Sequence, residues 1–252
     1  MKGIIVRGLR AASDILQPRK CAVCGERLLL DEAHICLNCL ADLPLTFFWT
    51  RSHNPMADKF NETIQKSIGE ADTCRERYAY AAALFFYHSE ANYRLIPYQL
   101  KYHGNIGVGR LFGKMLGTRL ASSADFSDVD FVIPVPLHWT RKWKRGYNQA
   151  EVIASAVAEM IEAPLMTDLI KRRKATRTQT KMTVEEKAVN VADAFSVNMK
   201  SVQSLSSASH LLLIDDVFTT GSTLCACFTA LRTAFPPSVR ISVATLAFVG
   251  RA

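Results

Sequence analysis

The stretch Leu211–Leu224, LLLIDDVFTTGSTL, runs from apolar residues through two carboxylates and an apolar pair into a hydroxyl-rich turn holding one glycine. The apolar run predicts a buried strand, and the turn predicts the start of a helix. In an open α/β sheet, ligands bind in the crevice at the carboxyl ends of the strands, where Asp215 and Asp216 would emerge. Backbone N–H groups of Thr219, Thr220, Gly221, Ser222 and Thr223 would form an anion nest favoured by the helix dipole, with Gly221 allowing close approach. A phosphate fits that turn. The adjacent carboxylates accept hydrogen bonds from vicinal ribose hydroxyls, so the unit reads as a binder of ribose 5-phosphate. A Walker P-loop is excluded here because no Gly-Lys-Ser/Thr follows the glycine. A receiver-type phosphorylation domain needs most of a domain downstream of its Asp pair, whereas this sequence stops at Ala252. An ordinary N-capped surface turn would leave the Asp pair and the consecutive small and hydroxyl residues as coincidence.

Outward from this unit, His210–Asp215 and Ile241–Val249 are continuous apolar runs with a helix-like segment between them. Tyr78–Tyr87 (YAYAAALFFY) and Asp130–Val135 (DFVIPV) read as further buried strands. Val108, Leu111, Phe112, Met115, Leu116 and Leu120 recur at helical spacing, as do Ile153, Ala156, Val157, Met160 and Ile161. Strands apolar on both faces and alternating with helices imply a parallel sheet covered on both sides. The segment from Thr46 to about Cys74 is polar and irregular, and reads as a connector without an assigned fold. The expected organisation is a module over 1–45 with a short N-terminal helix, a connector over 46–75 and the α/β domain over 76–252.

Cys21-Ala-Val-Cys24 and Cys36-Leu-Asn-Cys39 are two C-x-x-C pairs at the spacing of facing knuckles around a tetrahedral zinc. Each tight turn supplies two thiolates, and a segment this short cannot build a core, so the metal would stabilise its fold. Loss of Cys36 would then be expected to unfold the first 45 residues and spare the rest. Disulfides are disfavoured in a reducing cytoplasm, and a thioredoxin-like redox pair lacks its βαβ context. His34 stands near the cluster, but four thiolates already complete the shell. Cys225 and Cys227 read as core thiols.

With 252 residues, 49% hydrophobic and 21% charged, the chain can bury a full core and lies outside the disordered class. No apolar run reaches the ~20 residues of a spanning helix. The N-terminal stretch interleaves Lys2, Arg7 and Arg10 with apolar residues, unlike a secretory signal, so a cytoplasmic location is expected. A formal charge of +8 favours anionic partners. Eleven of the 31 Lys and Arg lie between Arg141 and Lys187. There Trp139 and Trp143 interleave with Arg141, Lys142, Lys144 and Arg145, the mixture of stacking faces and phosphate partners used on single-stranded nucleic acid. The same basic residues suit the diphosphate of a small ligand, with the Trp side chains packed, and both readings stay open. Arg172–Arg177, with Thr178 and Gln179, reads as a mobile loop that closes over a ligand.

The order apolar strand, Asp-Asp, apolar pair, Thr-Thr-Gly-x-Thr resembles the phosphoribosyl diphosphate (PRPP) signature of type I phosphoribosyltransferases. With the four-cysteine module, VIPVPLHWTRKWKRGYNQAEVIA at Val132–Ala154 and RRKATRTQTKMTVEEKAVNVADAF at Arg172–Phe195, nearly the whole chain resembles the ComF family. These are bacterial competence-associated proteins joining a zinc ribbon to a phosphoribosyltransferase-like domain. The resemblance implies a fold class of α/β, with a type I phosphoribosyltransferase-like parallel sheet flanked by helices and a small N-terminal four-cysteine zinc ribbon. It implies structural Zn2+ on Cys21, Cys24, Cys36 and Cys39, and PRPP with Mg2+ at Asp215, Asp216 and the turn Thr219–Thr223. Pro134, Val135 and Pro136 would begin the loop that meets the diphosphate, with Arg145 beside it in the family's Arg-Gly-aromatic-Asn-Gln string (Arg145, Gly146, Asn148, Gln149). Lys101 looks like the family's Lys before the first helical layer. Thr178 and Gln179 match its Thr-x-Gln element with one spacing difference, and Lys187 stands where an Arg is expected before Asn190. The function implied is PRPP binding coupled to DNA uptake, through single-stranded DNA and the uptake machinery. The alternative is an active transferase moving ribose 5-phosphate to an acceptor that no base-specific pocket in the sequence identifies.

Overall fold

The computed structural model describes residues 17–68, 76–173 and 194–250. Four parallel strands form the main sheet in the order β1 (Ala81–Phe86), β6 (Arg240–Phe248), β5 (His210–Phe218), β2 (Phe131–Pro134). β5 pairs on both sides, Leu211 to Phe131 of β2 and to Ile241 of β6. Alternate residues split between two cores: Leu211 and Leu213 face one, Leu212 and Ile214 the other. That division is why the strands read as unbroken apolar runs, and the expected sheet covered on both faces is present. A second, two-stranded antiparallel sheet pairs β3 (Ile170–Arg172) with β4 (Phe195–Val197), and the sequence reading had not anticipated it. Its strands are three residues each, too short for a period to register.

Among the described residues the α-helices are α1 (Leu37–Ala41), α2 (Pro55–Ile68), α3 (Leu95–Tyr102), α4 (Ile106–Ala121), α5 (Trp139–Arg145), α6 (Gln149–Ile161), α7 (Met199–Gln203) and α8 (Ser222–Arg232). α4 and α6 carry the two helical stripes expected from sequence. They approach closely because Gly113 and Gly117 face α6, where a Cβ would lie 2.8 Å from Ala156 Cβ or 2.7 Å from Met160 Cβ. The stretch read as a connector contains α2. Its Met56, Phe60 and Ile64, four residues apart, are buried in the core with Phe218 and Phe228. With Ala57 these are its few apolar core residues, set among polar neighbours such as Asp58, Lys59, Asn61 and Glu62, so composition hid the stripe.

At the amino-terminal edge of the sheet, the buried His210 ring joins Asp128 Oδ1 (Nδ1, 2.6 Å) to Ser242 Oγ (Nε2, 2.7 Å). Ser242 is fully buried, so this chain of hydrogen bonds bolts β5 to β6 and offers no accessible nucleophile. Burial, aided by Arg240 and opposed by Asp128, holds the imidazole below its ordinary pKa. The unfolded chain therefore binds this proton more readily, and stability should fall as pH drops below the unfolded value of about 6.5. His210→Ala is expected to cost about 2 to 4 kcal/mol in denaturant unfolding, from the cavity and the orphaned Ser242, and to reduce that pH dependence.

Candidate functional site

β5 ends in the turn that starts α8, and the site is built around that junction. Asp216 is buried and its Oδ2 holds Lys101 Nζ of α3 at 2.9 Å. Burial alone would lower the Lys101 pKa, but the Asp216 and Asp215 carboxylates outweigh it, so the ammonium stays charged. Asp215 accepts the Asp216 N–H at 2.8 Å. Its carboxyl is pushed up to about 7, first by lost hydration and then by the Asp216 charge, against Lys101 and Arg172. Beyond it, Asp215, Thr219, Gly221, Ser222 and Thr223 line a niche of about 30 Å3 at the start of α8. Gly221 has φ +79°, and a Cβ there would lie 2.7 Å from the Phe218 ring, so only glycine fits the turn. Thr220 is exposed, with its Oγ1 donating to Ser222 Oγ at 3.1 Å.

The niche opens beside a pocket of about 920 Å3 that Asp215, Asp216, Thr219 and Thr223 also line. Val135, Pro136 and Leu137 form one wall. Asn148 fixes that loop by donating to the Val135 carbonyl at 3.0 Å while its Oδ1 caps α6 at the Ala150 N–H. Pro134 belongs to β2, paired with Ile214, and is outside the lining. Arg94, Lys101, Arg141, Arg145 and Arg172 bring positive charge to the pocket. Arg172 closes β3 and is not part of a loop; residues 174–177 of the expected closing loop, with Thr178 and Gln179, fall outside the described residues, as do Lys187 and Asn190.

The seven-residue helix α5 divides the basic cluster that the sequence presents as one. Arg141 and Arg145, four residues apart, reach the pocket. Trp139 and Trp143, also four apart, are 69% and 87% exposed and absent from the pocket wall. The Trp residues are thus not packed, which corrects that part of the small-ligand reading. Lys142 and Lys144 stay outside the pocket as well, and Lys142 pairs with Glu151 at 3.4 Å. Sequence reasoning missed Arg94, Tyr98 and Tyr102 on the opposite wall. Tyr98 and Tyr102 lie one helical turn apart with ring centroids at 4.8 Å, and the Arg145 guanidinium stands 5.4 Å over Tyr102. A tyrosine pair one turn apart on a helix beside a lysine was the signal available.

At the other end of the chain, the sulfurs of Cys21, Cys24, Cys36 and Cys39 all lie within 4.8 Å of one another, and Cys24 and Cys36 are 3.7 Å apart. Tetrahedral zinc–thiolate bonds of 2.3 Å place sulfurs about 3.8 Å apart, so the cluster fits a metal such as zinc. The Val23 and Cys36 N–H groups donate to Cys21 Sγ at 3.4 Å each, which favours its thiolate. The expected N-terminal helix falls outside the described residues. Among the described residues, no helix is long and apolar enough to cross a membrane.

The family model for the phosphoribosyl transferase domain matches residues 147–250. Competence protein F of Haemophilus influenzae is 37% identical over 93 residues, which cover 37% of this chain and 40% of that protein. The DNA utilization protein YhgH of Salmonella typhi is 28% identical over 133 residues, covering 52% of this chain and 56% of its own length. The Escherichia coli K12 protein of that name is 30% identical over 95 residues, 38% of this chain and 40% of that one. The matches thus span about half the length of these relatives. A glutamine PRPP amidotransferase from Bacillus subtilis superposes with a TM-score of 0.36 at 20% identity, over 54% of this chain and 26% of that one, too loosely to bear on the fold. The chain thus carries a match to the phosphoribosyl transferase domain over residues 147–250, holds a four-cysteine cluster ahead of it, and is similar over part of its length to competence and DNA utilization proteins.

Proposed function

We propose that the pocket binds PRPP together with Mg2+, and that the protein assists DNA uptake by handling single-stranded DNA in the cytoplasm. The observation that carries the reading is the convergence, on one pocket, of the Asp pair, the glycine-hinged hydroxyl turn and a set of Arg and Lys side chains. The niche at Thr219–Thr223 takes the 5-phosphate on the α8 N-terminus. Asp215 and Asp216 accept the ribose hydroxyls. Arg141, Arg145 and Arg172, with the Val135–Leu137 wall, face the diphosphate. Mg2+ would supply charge neutralisation of the diphosphate; it keeps most of its waters and needs few protein ligands, which suits a pocket where, among the described residues, the acidic lining is the Asp pair. Outside the pocket, Trp139, Trp143 and Lys144 offer stacking faces and positive charge to a single strand. The names of the competence and DNA utilization relatives support the DNA part of this reading. Zinc on the four cysteines completes it.

A transferase activity is favoured by one observation: Tyr98 and Tyr102 give the pocket an aromatic wall beside Lys101. An acceptor nucleophile placed there would bond to the ribose C1 while the C1–O bond breaks, and the diphosphate leaves with the electron pair. The Arg side chains would stabilise that leaving group.

Calorimetry is expected to show PRPP binding that requires Mg2+, and metal analysis to find one zinc per chain. Absence of PRPP binding with Mg2+ present would remove the reading. Diphosphate release on adding nucleobases or DNA would place the transferase reading first.

A further inference from the structure

The four-cysteine module holds the pocket helix α3 at both ends. Ahead of it, the Tyr93 hydroxyl donates to the Cys39 carbonyl at 3.2 Å from the 3-10 turn Asn92–Arg94 that leads into α3. Behind it, Gly107 in the first turn of α4 lies under the His34 imidazole, so closely that a Cβ at Gly107 would meet His34 Cε1 at 2.2 Å. Between these anchors, Ile96 and Leu100 of α3 share one apolar cluster with Cys21, Val23 and Ile35 of the module. The other side of α3 carries Tyr98, Lys101 and Tyr102 into the pocket, and Lys101 holds Asp216.

α3 has eight residues, includes Pro97 and receives no side-chain N-cap bond. A helix that short has little stability of its own, so its place is set by what it packs against. The module in turn has no separate core. The expectation that losing Cys36 unfolds the first 45 residues and spares the rest does not suit this packing, because the apolar cluster is shared.

We propose that His34 and Tyr93 are positioning residues through which the four-cysteine module seats α3 against the pocket. A metal on the four sulfurs and a phosphoribosyl ligand in the pocket then raise each other's affinity. This inference rests on the PRPP reading above. Without the metal, the thiolate turns lose their cross-link and α3 loses both anchors. Lys101 then spends less time at Asp216, and a ligand must reorder the wall on binding. Linkage requires the effect to be reciprocal, with coupling of 5- to 150-fold typical of such systems.

The test uses zinc-loaded full-length protein: wild type, Gly107→Ala, and the double variant His34→Ala with Tyr93→Phe. None of these removes a sulfur or a residue of the pocket lining. Calorimetry with PRPP and Mg2+ should show the dissociation constant raised about tenfold in the double variant, with one zinc per chain retained. Gly107→Ala should act in the same direction by displacing His34. Zinc affinity, measured by competition with a chromophoric chelator, should rise by a like factor when PRPP is added to wild type, and by much less in the double variant. General destabilisation would not produce that reciprocal effect. If wild type binds PRPP but its zinc affinity is indifferent to PRPP, or if both variants bind PRPP as wild type does, the coupling is refuted. If zinc-loaded wild type binds no PRPP, the phosphoribosyl reading itself falls and takes the coupling with it.

Discussion

Replacing Asp215 and Asp216 together by Asn should weaken PRPP binding by at least about a hundredfold in calorimetry. Two charge-assisted hydrogen bonds to ribose hydroxyls are worth about 1.5 to 3 kcal/mol each, and every 1.4 kcal/mol is tenfold. The two singles should differ. Asp216→Asn also strips Lys101 of its ion-pair partner at 2.9 Å, leaving a largely buried ammonium with only the Asp215 charge nearby, so it should lower thermal stability as well as affinity. Asp215→Asn keeps that pair and should act on affinity alone. Asp215 also sets the pH response: its carboxyl ionises near 7 in the empty pocket, so wild-type affinity should rise as pH passes upward through that value. The Asp215→Asn variant should show that rise flattened. Affinity equal to wild type in the double variant would place the ligand elsewhere. Gly221→Val is an independent probe, since φ +79° and the Phe218 ring at 2.7 Å from a Cβ exclude a branched side chain.

Exchanging the two faces of α5 separately should divide small-ligand binding from nucleic-acid binding. Arg141→Ala with Arg145→Ala removes the pocket face and should cost PRPP affinity about tenfold or more, since hydrogen bonds between ionised groups are worth roughly 1.5 to 3 kcal/mol. Trp139→Ala with Trp143→Ala removes the outer face. If bases stack there, each lost ring weakens single-stranded DNA by about 1 to 3 kcal/mol. PRPP affinity should be unchanged, because neither Trp lines the pocket. Lys144→Ala should lower the salt slope by about 0.7, the increment for one single-strand phosphate contact. Lys142→Ala should do less, because Glu151 already neutralises it. DNA affinity by fluorescence anisotropy and PRPP affinity by calorimetry on the two double variants make four measurements. DNA binding that survives loss of both Trp residues would remove the stacking role from α5.

Parts of this molecule were legible in one dimension because their signals are local. The β5–α8 junction announces itself since strand, carboxylates and turn are contiguous, and the pocket and niche form around those residues. The two C-x-x-C turns likewise bring their sulfurs to metal-ligand separations within a short segment. Helix α2 was hidden because its core residues Met56, Ala57, Phe60 and Ile64 are few among polar neighbours, and β3 and β4 because three residues carry no period.

The sequence by itself determined the parallel α/β layering, the Asp pair shortly before the end of β5 and the four-thiolate cluster, each encoded by local runs and spacings. Only the tertiary structure decided that Arg141 and Arg145 face the pocket while Trp139 and Trp143 face solvent, because that division depends on which side of α5 the sheet lies. It alone placed Tyr98, Lys101 and Tyr102 opposite Asp216, more than a hundred residues away, and set His34 on Gly107. The physical reason is the same in both cases. Backbone periodicity is a property of the local chain, whereas the partner of a side chain on a short helix is chosen by packing against segments distant in sequence.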